Sequence, residues 1–421
     1  MARGHRPAPA PQPLAGIRVI DLSRNLAGPY CTQLLADLGA DVVKVEPLTG
    51  DPARAWGPPF WNGQSTIFLS ANRNKRSIAV DLRSAGGQDV VRRLASRSDV
   101  FVQSFRAGVV ESLGLSWPAL ASLQPALIYC SVTAYGTRGP LRQLPGYDPL
   151  MQAHAGLMSL TGAPGMPARV GTSVVDLGTA LWAVIGIQAA LADRTRTGLG
   201  THIITSLWET TLALNAYHLL GYWASGETPQ AMGTAFSLIA PYGAFPTADG
   251  QLMIAAANDS LFVKLCAALD LRAIAADARY ADNPSRVRYR TELDTAIAVR
   301  TKTFATRALE EILRGAGVPC APILDIAGVA AEEHTWTCGV LDRETGPRVP
   351  GPAFVGPALA WDDRRFLTHR PPPLLGEHSV EVLEEAGLDA AQRDALIERG
   401  IVARHAPESQ PPPAAPDLDP D

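Results

Sequence analysis

Short apolar, β-branched runs alternate with helix-forming segments in the first third of the chain, and this alternation constrains the fold more than any other feature. Each run spans four to six residues, which is typical of a buried strand. Right-handed crossovers join strands that alternate with helices, so the sequence predicts an α/β fold with a doubly wound parallel sheet. The predicted strands are 17–22, 41–45, 78–82, 100–103 and 127–132, and the helices between them include 30–38 and 85–97.

Ligands of such sheets bind beyond the carboxyl ends of the strands, so the residues there are the first candidates for a site. No GxGxxG follows the first strand and no GxxxxGK[ST] occurs, so neither a dinucleotide fingerprint nor a P-loop is present. A basic group, Arg73, Lys75, Arg76 and Arg83, surrounds the third strand. Such a group is usually a solvated face, but beside strand ends it can bind a phosphorylated anion, and both interpretations stay open.

A single carboxylate, Asp176, precedes a long apolar segment at 177–192. The segment is too short, and too near Asp193 and Arg194, to span a bilayer, so we expect a buried core helix. An Asp at this point most often caps the helix, because its side chain accepts hydrogen bonds from the first N–H groups. The helix dipole also favours a negative charge there, so a reactive carboxylate is compatible with the same position.

The chain beyond this segment predicts a second, smaller domain. A strand at 201–207 and a helix at 208–224 end the first domain, and a hairpin at 241–256 carries the Asp-Gly turn that specifically favours such a structure. We therefore assign 14–225 to a large domain and 226–325 to a small α+β domain. Further elements are helices at 260–269, 291–300, 308–316, 379–386 and 390–398, and an extended segment at 318–326.

Composition narrows the partners and the compartment. The formal net charge of −4 argues against nucleic acid or an anionic membrane as the main partner. The five cysteines are scattered, and neither they nor the eight histidines show metal-ligand spacing, so we expect reduced thiols, a cytoplasmic protein and no metal site. The Pro-rich ends, 1–13 and 406–421, are expected to be disordered, and the first contains no signal-peptide apolar core.

Several segments, in this order and spacing, resemble the class III (family III) CoA-transferases, the group that includes formyl-CoA transferase and the carnitine-related CoA-transferases. The resemblance runs from residue 13 to residue 402. The segments that carry it include PLAGIRVIDLSRNLAGPYCTQLLADLGADVVKVEPLTGD, NRNKRSIAVDLRSAGG, FRAGVVESLGLSW, VVDLGTALWAVIGIQAAL, PYGAFPTADG, AGVPCAPIL and PPLLGEHSVEVLEEAGL.

The resemblance implies a Rossmann-like large domain formed by both chain ends, so that 326–405 returns to it, and a homodimer of interlocked chains. It also implies transfer of CoA from an acyl-CoA to a free carboxylic acid, with CoA as a substrate and no cofactor. In the family, the acid at the position of Asp176 is the covalent nucleophile. A carboxylate can split one difficult exchange into easier steps through an enzyme-bound mixed anhydride and an enzyme-bound CoA thioester.

The resemblance also implies a set of CoA contacts at the strand ends. The first strand contributes its contacts near the thiol end of CoA, and the third contributes those near the adenine and phosphates, with Arg83 as the expected charge partner. Ser104 replaces the usual Asn, so that contact is expected to be lost or weakened, and Phe105 is equally compatible with a core position. The residues carried over are Leu26, Ala27, Val80, Asp81, Leu82, Arg83, Ser104, Phe105 and Arg106.

Two other functions are compatible with the same family resemblance. The related α-methylacyl-CoA racemases use a His in a GHD motif, where this chain has Tyr147, which is no base near neutral pH. We therefore favour the transferase and place Tyr147 in the acyl pocket, with His154 as a packed or surface residue. A non-catalytic acyl-CoA-binding protein is the other alternative.

Gly233 lies in the segment that matches the family's Gly-rich loop. It is the only glycine of that segment before Pro241, which weakens the lid and oxyanion role that the resemblance implies for this loop.

Overall fold

The computed structural model describes residues 12–342, 353–366 and 368–405. The predicted Pro-rich tail lies outside these residues, and so does the predicted lead apart from residues 12 and 13. The chain divides into two compact units, and the second one contains the predicted small domain. The first unit is Met1–Leu157, Val170–Leu219 and Trp336–Asp421, and the second is Met158–Arg169 and Leu220–Thr335.

The first unit is organised around a seven-stranded sheet. Its strands are Arg18–Asp21 (β1), Asp41–Glu46 (β2), Lys75–Val80 (β3), Val100–Gln103 (β4), Ile128–Thr133 (β5), His202–Ser206 (β6) and Val402–Ala403 (β7). They lie in the order β6-β5-β4-β1-β2-β3-β7, and all neighbours are parallel except the edge strand β7, which runs antiparallel to β3. This arrangement confirms the predicted α/β class, while the short antiparallel edge was not predicted.

Two predicted boundaries differ from the structure in ways that matter for the site. Strand β3 ends at Val80, so Asp81 follows the strand instead of lying in it. The first helix, Ala27–Asp37, begins three residues earlier than predicted. This early start requires a tight turn, because a Cβ on Gly28 would lie 2.2 Å from the Cβ of Ser23.

Helices cover both faces of the sheet and enclose two separate apolar clusters. One cluster joins the Ala27–Asp37 helix and the Val174–Thr197 helix to one face. The other joins the Ala85–Ala95 and Ser379–Glu385 helices to the opposite face. The remaining helices of the first unit are Thr66–Ala71, Val109–Ser112, Trp117–Leu123, Asp148–His154, Leu207–Leu214 and Ala390–Glu398.

The Val174–Thr197 helix, called the long helix below, is buried on only one side. Seven of its residues are buried, and six of them, including Val175 and Ile187, belong to the sheet-facing apolar cluster. Leu181, Trp182 and Ile185 are each at least half exposed. By length and composition this helix could cross a membrane, but its buried side packs into the core as an amphipathic helix does. The expected buried core helix is therefore buried on one side only.

The predicted helix at 208–224 is two helices in the structure, Leu207–Leu214 and Ala216–Ser225. They meet at Asn215, whose side-chain amide donates to the backbone oxygen of Ala155 over 2.8 Å. This tertiary hydrogen bond accompanies a break that helix periodicity alone does not predict.

The second unit contains the predicted hairpin, Tyr242–Pro246 and Gln251–Ala255, with Cys320–Pro322 as a third antiparallel strand. Helices surround this sheet and enclose their own apolar cluster. The segment Met158–Arg169 adds a small two-stranded hairpin. The helices of this unit include Asp259–Ala268, Arg272–Ala275, Asn283–Arg288, Arg290–Thr301, Thr306–Gly315 and Ile326–Ala331.

Three of the four basic residues around β3 form ion pairs within the fold. Arg73 pairs with Asp37 at 2.5 Å, and Lys75 pairs with Asp21 at 3.1 Å. Both lysine and arginine are almost fully buried. Their positive charges are already balanced, so the interpretation of these residues as a phosphate-binding group is wrong.

Arg76 is engaged in the same way at the amino end of β3. Its guanidinium pairs with Asp41 at 2.5 Å and with Glu385 at 2.7 Å. The contact to Glu385 ties the Ser379–Glu385 helix to the sheet. Of the basic group, only Arg83 is exposed.

Glu46, the last residue of β2, is bound by a further set of charged and polar side chains. Arg54 donates to both of its carboxylate oxygens over 2.7 Å, and Ser77 donates over 2.6 Å. Burial alone would raise the pKa of Glu46, but the Arg54 charge and these hydrogen bonds outweigh it and lower the pKa to about 2. The ionised form is therefore stabilised in the folded state.

We expect Glu46 to make the protein sensitive to acid. Because its pKa falls from 4.5 to about 2 on folding, the unfolded state binds more protons in that pH range. The stabilisation, about 3 kcal/mol, is present above pH 4.5 and lost as the pH falls towards 2. Glu46→Gln should lower the urea midpoint at pH 7 and flatten its dependence on pH. The exposed carboxylate variant Glu398→Gln is the control, and unchanged acid sensitivity of Glu46→Gln would contradict the assignment.

Candidate active site

The strand order places β1 between β2 and β4, because the chain adds β2 and β3 on one side of β1 and then β4, β5 and β6 on the other. The topological switch point of the parallel sheet therefore lies between β1 and β4. In open α/β sheets, the loops that follow the two strands at such a switch point form a crevice at the carboxyl edge, where ligands usually bind. Ser104, directly after β4, reaches into the loop after β1, where its hydroxyl accepts from the Arg24 backbone N–H over 3.0 Å. The structure thus joins two predicted CoA-binding segments.

A buried ion pair holds the same loop from the other side. Lys44 pairs with Asp51 at 2.8 Å and also donates to the backbone oxygen of Ser23 over 2.9 Å. Asp51 accepts from the Asn25 backbone N–H over 3.2 Å. Three consecutive residues of the loop are therefore fixed by groups outside it, which gives the crevice a preorganised wall.

The predicted CoA contacts that follow β1 and β4 differ in what they expose. Leu26 and Ala27 are buried at 8% and 7% exposure, so they offer a ligand mainly backbone. Phe105 is half-buried, and the Arg24 guanidinium lies 4.9 Å from the centre of its ring. Arg106 is exposed.

The predicted adenine and phosphate contacts lie farther along the sheet, at the end of β3. Val80 and Leu82 are core residues, at 0% and 4% exposure. Asp81 accepts from the Arg83 backbone N–H over 3.0 Å and so shapes the turn after the strand. Only the side chain of Arg83 is exposed here, which leaves it as the charge that this segment can present to a ligand.

Asp176 is half-buried and is the third residue of the long helix. The N-cap residue is Ser173, which makes no side-chain capping hydrogen bond. The interpretation of Asp176 as the cap of its own helix is therefore wrong. Its neighbour Val175 belongs to the same apolar cluster as Ala27, so the start of the long helix and the β1 crevice share one core.

The cap comes from a different helix, Asp148–His154. Asp148 accepts from the backbone N–H of Val175 over 2.8 Å and from that of Asp176 over 3.3 Å. Sequence reasoning gave Asp148 no role, because this capping partner lies 28 residues before Asp176 and no local spacing connects the two. The only available signal was its place beside Tyr147 in the tripeptide matched to the racemase motif.

Tyr147, which was predicted to line the acyl pocket, and His154, which was predicted to be a packed or surface residue, lie at the two ends of that capping helix. Tyr147 directly precedes it, with a side chain that is 53% exposed. His154 is exposed and packs on Tyr135 and Trp208, with its ring 5.1 Å from that of Trp208, as predicted for a packed or surface residue. Among the described residues, no group of three His, Cys, Asp or Glu side chains could hold a metal ion.

Gly233 lies in the second unit, in a loop whose donors are engaged. Its φ of +60° favours glycine, and its N–H donates to the backbone oxygen of Gly162 over 2.7 Å. The Ala235 N–H donates to the Met232 oxygen. These two N–H groups are therefore engaged by backbone oxygens, and the weakened lid and oxyanion role of this loop stays a prediction.

Known proteins share this fold and sequence over nearly the whole chain. The model of CoA-transferase family III matches residues 14–379. A CaiB/BaiF family protein from Brucella suis has a TM-score of 0.79 and 37% identity, covering 89% of this chain and 100% of that one. The chain belongs to CoA-transferase family III.

Curated relatives extend this finding to activity. The succinyl-CoA:glutarate CoA-transferase of Mus musculus is 38% identical, over 94% of this chain and 91% of the relative. The succinate–glutarate CoA-transferase of Agrobacterium fabrum is 41% identical, over 91% and 97%. The acetyl-CoA:oxalate CoA-transferase of Acetobacter aceti is 36% identical, over 82% and 89%. The expected activity, transfer of CoA from an acyl-CoA to a carboxylic acid, is confirmed.

We expect Ser104→Ala to loosen the loop after β1, because the Arg24 N–H loses its acceptor. Loss of one such hydrogen bond, about 1 kcal/mol, should speed amide exchange of residues 23–27 about fivefold. Hydrogen–deuterium exchange read by mass spectrometry measures this directly. Ser112→Ala is the control, because that hydroxyl donates only to Val109 within its own surface helix. Equal exchange in both variants would show that Ser104 does not hold the loop.

Proposed function

We propose that this enzyme transfers CoA through covalent intermediates on Asp176. The observation that supports the proposal is the position of this half-buried carboxylate in the first turn of the long helix, in a chain of family III. The partial positive charge of a helix N-terminus stabilises a carboxylate, so the nucleophile can be ionised at neutral pH. The same position also leaves the side chain at the surface of the core, within reach of a ligand.

The reaction proceeds by paired exchanges at this carboxylate. The Asp176 carboxylate attacks the thioester carbon of the donor, the C–S bond breaks, and a mixed anhydride and CoA thiolate form. The thiolate then attacks the Asp176 carbonyl of the anhydride, releasing the donor acid and leaving an aspartyl-CoA thioester. The acceptor carboxylate reverses both steps, leaving as acyl-CoA and restoring the Asp176 carboxylate.

Each step passes through a tetrahedral oxyanion that needs hydrogen-bond donors. The Asp176 N–H is engaged by Asp148, and the Gly233 N–H by Gly162. We infer that these two amides are not the oxyanion donors in the conformation described.

For CoA itself, we propose that the crevice between the β1 and β4 loops binds the pantetheine arm and that Arg83 pairs with a phosphate. The fixed backbone of residues 23–25 supports the first contact, because a preorganised wall loses little entropy on binding. The exposure of Arg83, when the neighbouring basic residues are paired internally, supports the second.

We propose short dicarboxylic acids as the substrates. The three relatives described above are named for succinate, glutarate or oxalate, each of which carries two carboxylates. With a dicarboxylate, one carboxyl group reacts while the other is free to be recognised. Recognition of the second charge would separate these acids from fatty acids of the same length.

We further propose a homodimer. The long helix leaves Leu181, Trp182 and Ile185 exposed. Trp182 and Ile185 line one groove together with Ile204 of β6, which is 42% exposed. An exposed apolar patch of this kind is typical of a protein–protein interface. A second copy of the chain is the partner that the family resemblance implies.

A cytoplasmic location also remains our proposal. All five cysteines are free thiols, and Cys31, Cys130 and Cys266 are buried. Free, scattered thiols are the usual state of cysteine in a reducing compartment.

We expect Asp176→Ala to abolish CoA transfer while CoA binding and folding persist, because only the nucleophile is removed. Activity should fall at least about a thousandfold, as is typical when a covalent nucleophile is lost. Asp193→Ala, which removes a surface carboxylate from the last turn of the same helix, is the control and should keep full activity. After acyl-CoA is added, intact-protein mass spectrometry should show a CoA adduct on the wild type and none on Asp176→Ala. Full activity without an adduct would refute the covalent route.

We expect the enzyme to prefer dicarboxylic acceptors. With succinyl-CoA as donor, kcat/KM for glutarate should exceed that for n-valerate by about tenfold or more, since one charge-assisted hydrogen bond contributes at least about 1.5 kcal/mol. The two acids have the same chain length, so the comparison isolates the second carboxylate. Equal kcat/KM values would rule out the proposed substrate class.

A further inference from the structure

The long helix depends on a cap from outside its own sequence. Its N-cap residue, Ser173, makes no side-chain capping bond, so the first N–H groups need acceptors from elsewhere. Asp148 supplies them with one carboxylate oxygen, at 2.8 Å from the Val175 nitrogen and 3.3 Å from the Asp176 nitrogen. The backbone that carries the proposed nucleophile is thus hydrogen-bonded directly to a buried acid.

Asp148 is itself held in place by Gln152, one turn later on the same helix. The Gln152 side-chain amide donates to the other Asp148 oxygen over 2.6 Å. Its side-chain oxygen accepts from the Val170 backbone N–H over 2.9 Å, in the segment that leads into the long helix. Asp148 is 2% exposed and Gln152 is fully buried. The pair therefore connects the segment before the long helix to its first turn.

In this chain of hydrogen bonds, each group can act in only one way, as a donor or as an acceptor. Gln152 must present its N–H₂ to Asp148, because its oxygen is used by Val170. Asp148 must then accept on both oxygens, since Gln152 and the two helix N–H groups all donate to it. A carboxylate meets this requirement, and donors to a buried charge form strong hydrogen bonds. Asn at residue 148 would accept from the helix with its oxygen and so turn its N–H₂ towards the N–H₂ of Gln152.

We propose, on the basis of the proposed function, that Asp148 and Gln152 are positioning residues for Asp176. By fixing the backbone at residues 175 and 176, they set the line along which the Asp176 carboxylate approaches the thioester carbon. The contact is one bond from the nucleophile's own Cα, so a shift of the cap moves the nucleophile with it. A misplacement of about 1 Å can lower a rate about a hundredfold.

The test exchanges the carboxylate and the amide group between residues 148 and 152. Asp148→Asn sets two N–H₂ groups against each other and should lower kcat about 30-fold to 100-fold, with KM for acyl-CoA changed less than about twofold. In the double variant Asp148→Asn with Gln152→Glu, the introduced amide oxygen again accepts from the helix, and its N–H₂ donates to the introduced carboxylate. The other oxygen of that carboxylate accepts from the Val170 N–H. This variant should recover most of kcat, because every hydrogen bond is restored.

The matched control is Thr210→Val. Thr210 is buried and accepts from the Thr179 hydroxyl, one turn farther along the long helix, without contacting residue 176. It should lower the melting temperature about as much as Asp148→Asn while leaving kcat unchanged. A kcat for Asp148→Asn within twofold of the wild type would overturn the proposal. A double variant that folds and binds CoA but stays inactive would overturn it too, because the charge and not the bonding would then be the essential property.

A second variant keeps the test decisive if Asp148→Asn does not fold. Gln152→Leu retains the carboxylate and removes its support, so kcat should fall about fivefold to tenfold and KM should be preserved. An unchanged kcat would contradict the proposal. The wild type separates this result from the proposed function: absence of an Asp176–CoA adduct in the active wild type refutes the covalent route, whereas an adduct with unaffected 148 and 152 variants refutes only the positioning role.

Discussion

The candidate site at the carboxyl edge of the sheet depends on the buried ion pair between Lys44 and Asp51. A charge pair taken out of water stabilises a fold only when its remaining donors and acceptors are also satisfied. Here Lys44 also binds the Ser23 backbone oxygen, and Asp51 binds the backbone at Asn25 and Ala53. The hydrogen bonds that the ion pair makes to the backbone are therefore the same bonds that hold the conformation of the β1 loop. Loss of either partner leaves a buried charge and releases the wall of the crevice together.

The same principle applies at the start of the long helix. Asp148 is a buried anion whose oxygens are used by backbone and amide donors, and in return it orders the turn that holds Asp176. Two buried acids, Asp51 and Asp148, thus act on backbone and not on ligand. The proposed chemistry is left to Asp176, which is only half-buried. Asp51 and Asp148 hold the backbone rigid, whereas Asp176 is left to react. A fold can in this way position a nucleophile without neutralising its charge.

The basic residues around β3 show how a composition-based interpretation fails. Arg73, Lys75 and Arg76 look like a phosphate site in the sequence, because they follow one another closely beside a predicted strand end. In the structure they lie at the amino end of β3 and pair with acids from other elements, including Asp37 and Asp21. Those acids lie 36 and 54 residues away, so no local pattern shows that the charges cancel. Arg83, after the strand, stays exposed, and it was also the charge that the family resemblance selected.

Local physics made much of the fold predictable from sequence. Five of the seven sheet strands were found from short β-branched runs, because those runs are buried and apolar enough to be recognised alone. A sixth was found from 201–207, although it is only partly buried. The edge strand Val402–Ala403 was missed, since two residues carry no periodicity. The break at Asn215 was missed because a tertiary hydrogen bond accompanies it.

By itself, the sequence determined the alternation of strands and helices, the hairpin at its Asp-Gly turn, and the family to which the chain belongs. These depend on near neighbours in the chain or on the order of many short segments. Only the tertiary structure decided that Asp176 does not cap its helix, that Asp148 does, and that Ser104 holds the Arg24 backbone. The physical reason is that a buried backbone group takes whichever acceptor the fold brings within about 3 Å, and that acceptor can come from any distance along the chain.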